Sequence, residues 1–385
     1  MSLLTLLTIT FATLTSAHPK PPAHHPNPFN WQTTTHLIAF GDSYTYIQGT
    51  FGRQNFSFIG DSQHLSFPFS TLLNNQIVQN QTSTAEGGPN WIELLTGCGV
   101  EPGLTDPKTC SKQVWDFAFG GADISTEWLP LHHPYTTSFV NQTREFAEYG
   151  DPALSSSDLV PDKGGALVAV WMGINDINDS ADGELIPAGM SYREFYRKLQ
   201  ESLFEALERN VLAKGYRKFL FVTLPPLDRT PGNVEREESQ RLPNATMIGW
   251  FNDALRNQAE AFQTRHSHKE EDEGVEVMMY DSTTFLNHVL DCPDEFGIKN
   301  TTDYCRAYDQ PYVDTDPGRY GCQPLDEFFW FNTGHMTSHT HAILAEDMLK
   351  FLTEQGRGRK HQQGGKKDKD RKGWWWGRGW SGWSV

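Results

Sequence analysis

Beyond its first 17 residues the chain has no apolar run approaching the roughly 18 residues of a membrane-spanning helix. Positive charge is scarce too. Its 32 Lys and Arg face 48 Asp and Glu, a formal net charge of −16, which argues against a nucleic-acid partner for the body of the protein. Fourteen histidines are present, yet none falls in a His-Glu-x-x-His or His-x-His site with carboxylates at ligand spacing, so no metal and no other cofactor is expected. Internal repeats are absent, which excludes a solenoid. What is plentiful is core material: 37% of the 385 residues are apolar and 12% aromatic, enough for one large α/β domain.

Residues 1–17 read as a secretory signal. The apolar stretch Leu3 to Leu14 ends in Thr15-Ser16-Ala17, a small-x-small cleavage site, although no Lys or Arg precedes it. Export into an oxidising space fits two further patterns. Six Asn-x-Ser/Thr sequons occur, at Asn55, Asn80, Asn141, Asn178, Asn244 and Asn300. Of five cysteines, Cys98 and Cys110 flank a Gly/Pro-rich loop they can close, and Cys305 with Cys322 is the favoured second pair, leaving Cys292 free. Spacing alone does not fix that connectivity.

Residues 18–35 form a Pro/His-rich linker, extended over His18 to Asn30, in which His24-His25 is read as solvated. From residue 36 to 355 strand and helix patterns alternate. Leu37–Phe40, Ala166–Met172, Phe219–Leu224 and Val275–Tyr280 are apolar runs, three of them ended by Gly or Pro, as central parallel strands are. Helices are expected over Ser191–Lys214, with a Ser191/Glu194 capping box and Gly215 at its end, over Ile248–His266, and over Ser338–Gln355 with Gly356 just beyond. The alternation predicts a doubly wound α/β sheet with its ligand at the C-terminal strand ends. The segment 356–385 differs in kind, with nine Lys or Arg, two Asp and five of the twelve Trp. Such a composition cannot bury a core, so a disordered tail is expected.

Three turns and a loop carry the chemistry. Gly41-Asp42-Ser43 follows the first strand, lifting a hydroxyl to the sheet edge. Gly173-Ile174-Asn175-Asp176 leaves the second strand at the same edge, where the Asn175 amide can donate to a developing oxyanion. Gly120-Gly121 forms a turn whose N–H groups no Cβ shields. His335, before the last helix, can take a serine proton. His339 and His341 are expected on that helix's surface, and Asp176 reads as a turn or cap residue.

These blocks resemble the SGNH/GDSL hydrolases: GDS at 41–43, FGGAD at 119–123, GIND at 173–176 and NTGH at 332–335. More narrowly the chain is similar to fungal GDSL-type acetylesterases that act on plant-wall carbohydrates. The resemblance spans about residues 36–352. It implies a flavodoxin-like three-layer α/β/α fold with Ser43 as nucleophile, His335 as base, and an oxyanion hole of the Ser43 N–H, the Gly121 N–H and the Asn175 amide. In block alignment Gly121 is preferred to Gly120.

One position departs from the family. Its last block usually reads Asp-x-x-His, and here the first position is Asn332. Three ways of orienting His335 are open: the Asn332 oxygen, a backbone carbonyl, or a carboxylate from elsewhere, Asp281 or Asp326. The expected activity is a cofactor-free, secreted, monomeric serine esterase, acting on short acyl esters and foremost on acetyl groups of hemicellulose oligosaccharides. The alternatives are an esterase or lipase for longer chains, and a carbohydrate- or wall-binding protein on an inactive esterase scaffold. The tail would supply contact with a cell wall or anionic surface.

Overall fold

The computed structural model describes residues 28–60, 67–160, 162–267 and 274–358. The expected signal peptide, residues 18–27 of the expected linker, and residues 359–385 of the tail lie outside them. In chain order the strands are β1 (His36–Gly41), β2 (Gln48–Gly49), β3 (Ile77–Gln79), β4 (Gly103–Thr105), β5 (Gln113–Asp116), β6 (Ala166–Trp171), β7 (Lys218–Val222) and β8 (Glu276–Tyr280). The α-helices are α1 (Phe69–Leu73), α2 (Trp91–Thr96), α3 (Phe139–Glu145), α4 (Asp151–Ser156), α5 (Ile174–Asp179), α6 (Tyr192–Asn210), α7 (Pro231–Val234), α8 (Ala245–Arg265), α9 (Ser282–Asp291) and α10 (Ser338–Gly358).

Strands β1 and β6 are buried at every residue, as strands covered on both faces must be. They pair in parallel, from His36 opposite Ala166 to Gly41 opposite Trp171. The five-stranded sheet runs β5-β1-β6-β7-β8, all parallel. Taken in chain order, that is the 2-1-3-4-5 arrangement of flavodoxin-like sheets, as expected. Strand order reverses between β1 and β6, so both strands deliver their following loops to one crevice. Helix α6 packs on α3 and α8, and α10 on α2 and α9, so two helical layers flank the sheet. A small antiparallel sheet, β2-β3-β4, stands beside them.

Local chemistry sets the helix ends. The Ser191 side chain accepts the Glu194 N–H at the start of α6, although the reciprocal Glu194 bond of a full capping box is not made. A 3-10 turn, Leu212–Lys214, then closes on Gly215 in the left-handed region at φ 101°. Disulfides join Cys98 to Cys110 and Cys305 to Cys322, and Cys292 is free.

Two boundaries need correction. Residues 28–35 of the expected linker belong to the domain: Phe29 and Trp31 are buried, and Lys112 Nζ lies 4.7 Å from the Trp31 ring. Removing two aromatic rings from water outweighs a Pro-rich neighbourhood, at roughly 2–3 kcal/mol each. At the other end α10 continues through Gly358. Gly356 does not cap it; a Cβ there would lie 3.3 Å from Asn30 Cα, so the helix end packs on the N-terminal segment.

Candidate active site

The turn after β1 is built around Gly41. A Cβ on it would lie 2.6 Å from Thr45 Cβ and 2.9 Å from the Trp171 carbonyl oxygen, so only glycine lets the chain turn this tightly against β6. Thr45 and Tyr46 N–H groups both donate to the Asp42 carbonyl, closing the turn that presents Ser43. The Gln142 side chain from α3 clamps Gly41 from outside. Its Nε2 donates to Gly41 O at 2.8 Å, and its Oε1 accepts the Gly41 N–H at 3.2 Å. Asp42 itself is buried and accepts the Tyr44 N–H; desolvation pushes its carboxyl up to about 7.

His335 comes from the loop before α10. Its Nε2 lies 2.8 Å from Ser43 Oγ and its Nδ1 3.0 Å from Asn332 Oδ1. The same Asn332 oxygen accepts the Gly334 and His335 N–H groups, each at 2.9 Å. Two backbone donors can only meet an oxygen, so the amide's orientation is set by the main chain. Nδ1 must then carry the proton, which leaves Nε2 as an acceptor facing the hydroxyl. Burial, with no carboxylate against the ring, pushes the imidazole down to about 4, so His335 is neutral at neutral pH. Tyr44 packs on the ring with centroids 5.2 Å apart, and its hydroxyl donates to the Gly334 carbonyl, pinning the loop.

Of the partners the sequence left open, Asn332 is the one in reach. Asp281 is held by Arg256 at 2.9 Å and caps α9 at the Thr284 N–H. Asp326 is exposed in a 3-10 turn.

The donors expected from the sequence are the Ser43 and Gly121 N–H groups and the Asn175 amide. Gly121 sits at φ 79°, a conformation that glycine tolerates best. Its neighbour Gly120 already donates to Phe56 O at 2.8 Å, whereas the Gly121 and Ser43 N–H groups meet no acceptor among the described residues. Of the two glycines, Gly121 is therefore the one whose N–H is free of an acceptor among the described residues. Asn175 lies in the first turn of α5, whose N-cap is Gly173 at φ 119°. A Cβ on Gly173 would strike the Phe251 ring at 2.2 Å. One Asn175 amide hydrogen is donated to Ala122 O at 2.9 Å, which fixes the side chain and leaves the second for a ligand.

Behind this crevice lie buried acids. Asp176 Oδ1 accepts the Ile124 N–H at 2.9 Å, which ties the two glycine turns together. Desolvation and mutual repulsion push Asp123 and Asp176 well above the ordinary carboxylate range. His341 is not on the helix surface as expected. It is fully buried, its Nδ1 accepts the Trp91 N–H at 3.2 Å, and its Nε2 faces buried Glu86 at 3.8 Å. Burial pushes His341 down and Glu86 up, which disfavours the charged form of each. His339 is half-buried, its Nε2 meeting Phe296 O. Among the sequons, Asn55, Asn80, Asn178 and Asn244 are exposed, while Asn141 and Asn300 are half-buried.

Residues 37–348 match the GDSL-like lipase/acylhydrolase family. The chain belongs to that family. This GDSL hydrolase is a carboxylic ester hydrolase. It is 26% identical over 275 residues to an acetylesterase of Thermothelomyces thermophilus, covering 71% of this chain and 78% of that one. It is 21% identical to a thermolabile hemolysin of Vibrio parahaemolyticus, covering 62% of this chain and 51% of the hemolysin. Among solved structures, an α/β hydrolase from the Lake Arreo metagenome is 15% identical with a TM-score of 0.36, covering 83% of this chain and 94% of that one. An acetylxylan esterase from Geobacillus stearothermophilus is 15% identical with a TM-score of 0.34, covering 85% and 96%.

The GDSL hydrolase's site also uses residues that no motif announced. Gln142 and Tyr44 hold the nucleophile turn and the histidine loop from 101 and 290 positions away along the chain. His132, exposed on the loop before α3, lies against the Gly121 turn.

Proposed function

We propose that this GDSL hydrolase is a secreted serine esterase that removes short acyl groups, acetyl foremost, from hemicellulose oligosaccharides through an acyl-enzyme. The observation that carries the reading is the Asn332–His335–Ser43 relay, with contacts of 3.0 and 2.8 Å. His335 Nε2 takes the Ser43 proton as Oγ attacks the ester carbonyl. The new oxyanion is held by the Ser43 and Gly121 N–H groups and the Asn175 amide. His335 then gives its proton to the departing sugar oxygen. Water, activated in the same way, releases the acid. The acetylesterase relative supports the acyl preference. Two disulfides, exposed sequons and the N-terminal small-x-small pattern support export. The carbohydrate assignment rests on the sequence resemblance to plant-wall acetylesterases.

The test compares p-nitrophenyl acetate with longer acyl esters and with acetylated xylo-oligosaccharides. Fastest turnover of acetyl groups is expected, and Ser43→Ala should abolish it while circular dichroism stays native. A preference for long chains would refute the acetyl reading, and an active Ser43→Ala variant would refute the nucleophile.

A further inference from the structure

His132, Asp123 and Asp179 come together from three parts of the chain, with one ligand-capable atom of each within 4.8 Å of the others. His132 Nε2 is 2.6 Å from one Asp179 oxygen and 4.0 Å from Asp123 Oδ2. The short contact satisfies His132 and Asp179, while Asp123 keeps only the long 4.0 Å contact with His132. That carboxylate is 1% exposed, and neither of its oxygens meets a hydrogen-bond donor. Asp42, Asp176 and Asp179 surround it with further acid groups, and no Lys or Arg is among the charges acting on it. A buried carboxylate in such surroundings is costly unless something positive reaches it.

We infer that Asp123, His132 and Asp179 form a divalent-cation site beside the oxyanion hole. Two ligands at roughly 2.1 Å from a tetrahedral metal stand about 3.4 Å apart. The observed 2.6 and 4.0 Å bracket that separation, so the two contacts of His132 need adjustments below about 1 Å each. His132, on an exposed loop, is the ligand freest to make them. One imidazole and two carboxylates suit Zn²⁺ or Mn²⁺, which accept nitrogen beside oxygen, better than Ca²⁺ or Mg²⁺, which prefer oxygen alone. Both His132 and Asp179 remain partly open to solvent, giving the ion an entry path and room for water ligands. A bound cation would staple the loop carrying His132 to α5, across the turn that holds Gly121. A Cβ on that glycine would lie 3.5 Å from His132 Cβ. No step of ester hydrolysis passes through the ion; it fixes the wall of the crevice and offsets the acid groups behind it.

The test is calorimetric titration of chelator-treated full-length protein with ZnCl₂ and with MnCl₂, paired with thermal unfolding at each metal concentration. One equivalent should be lost, or bound at least about tenfold more weakly, in both His132→Ala and Asp179→Asn. The metal-dependent rise in Tm should vanish with it. His288→Ala, which breaks the separate cluster of His288, Cys292 and Glu295, should leave that equivalent intact. His132 is exposed, so its variant keeps the fold, with circular dichroism as the check. Absence of saturable binding up to about 1 mM metal would overturn the site and leave a proton as the neutraliser of Asp123. Binding that survives both substitutions, or that is lost in His288→Ala, would overturn it equally.

Discussion

The substitution Asn332→Asp puts back the carboxylate usual in this family, and its effect follows from the geometry. The new oxygen would inherit the same three donors, the Gly334 and His335 N–H groups and His335 Nδ1. Those donors hold the introduced carboxyl ionised well below neutrality. A unit charge about 4 Å from the imidazolium is worth about 4 kcal/mol at an effective dielectric near 20. Asn332 is half-buried, so solvent screens part of that, leaving about 1.5–3 kcal/mol, or about 1–2 pKa units. The sign is definite. Turnover needs neutral His335, so kcat/KM falls as pH drops through the histidine's pKa, which burial holds at about 4. A carboxylate favours the imidazolium and raises that pKa, so the acid limb moves up by about 1–2 pH units. On the plateau the rate should be unchanged or higher by at most about tenfold, since the imidazolium formed in the transition state is better stabilised. The assay is a pH profile of kcat/KM on p-nitrophenyl acetate for both proteins. An unmoved limb would refute the placement of Asn332 against the base. A folded variant that had lost its plateau activity would refute the claim that the amide oxygen acts as acceptor.

Two further outcomes are expected. Asn175→Ala should lower kcat by about 10²–10³ with little change in KM, the usual loss for one oxyanion donor; an effect confined to KM would make Asn175 a substrate-binding residue. A chain ended after Gly358, where α10 ends, should keep its rate on soluble esters and lose retention on wall polysaccharide or anionic vesicles, most visibly at low salt; equal retention of both lengths would dismiss the Trp-rich tail as an anchor.

Much of this is legible in the sequence because the sheet is parallel. Strands β1, β6 and β7 are buried apolar runs, β8 is a half-buried one, all stop at or near Gly, Pro or a turn, and the motifs after β1 and β6 have to meet where strand order reverses. β5 gives no such signal because it is four residues long and ends in Asp116, whose carboxylate is satisfied by the Ile47 and Ala118 N–H groups. The paired strands of the small sheet are two or three residues each, too short for any period to show. Phe29 and Trp31 are hidden by the prolines and histidines around them. His341 defies its expected surface position although a signal for burial is present: residues 341, 344, 345, 348 and 352 share one buried helical face. Gln142, Tyr44 and His132 leave no signal at all, because their contacts are set by packing between elements distant in sequence.

The neutral orienting residue also explains how the site tolerates its own chemistry. In another serine hydrolase, Asn at the orienting position costs about 10⁴ in rate because the imidazole adopts the wrong tautomer. Here that failure is blocked, since the Gly334 and His335 N–H groups turn the amide oxygen, not its NH₂, toward the ring. The tautomer is therefore correct without a charge. What is forgone is stabilisation of the imidazolium, and what is gained is a base that stays unprotonated in acid. Tyr44 packs on the ring, and behind it burial pushes His341 down and Glu86 up, so neither of that pair favours supplying the missing carboxylate's pull. The main-chain loop at 332–335, more than the identity of residue 332, then decides whether His335 faces Ser43 in the reactive form.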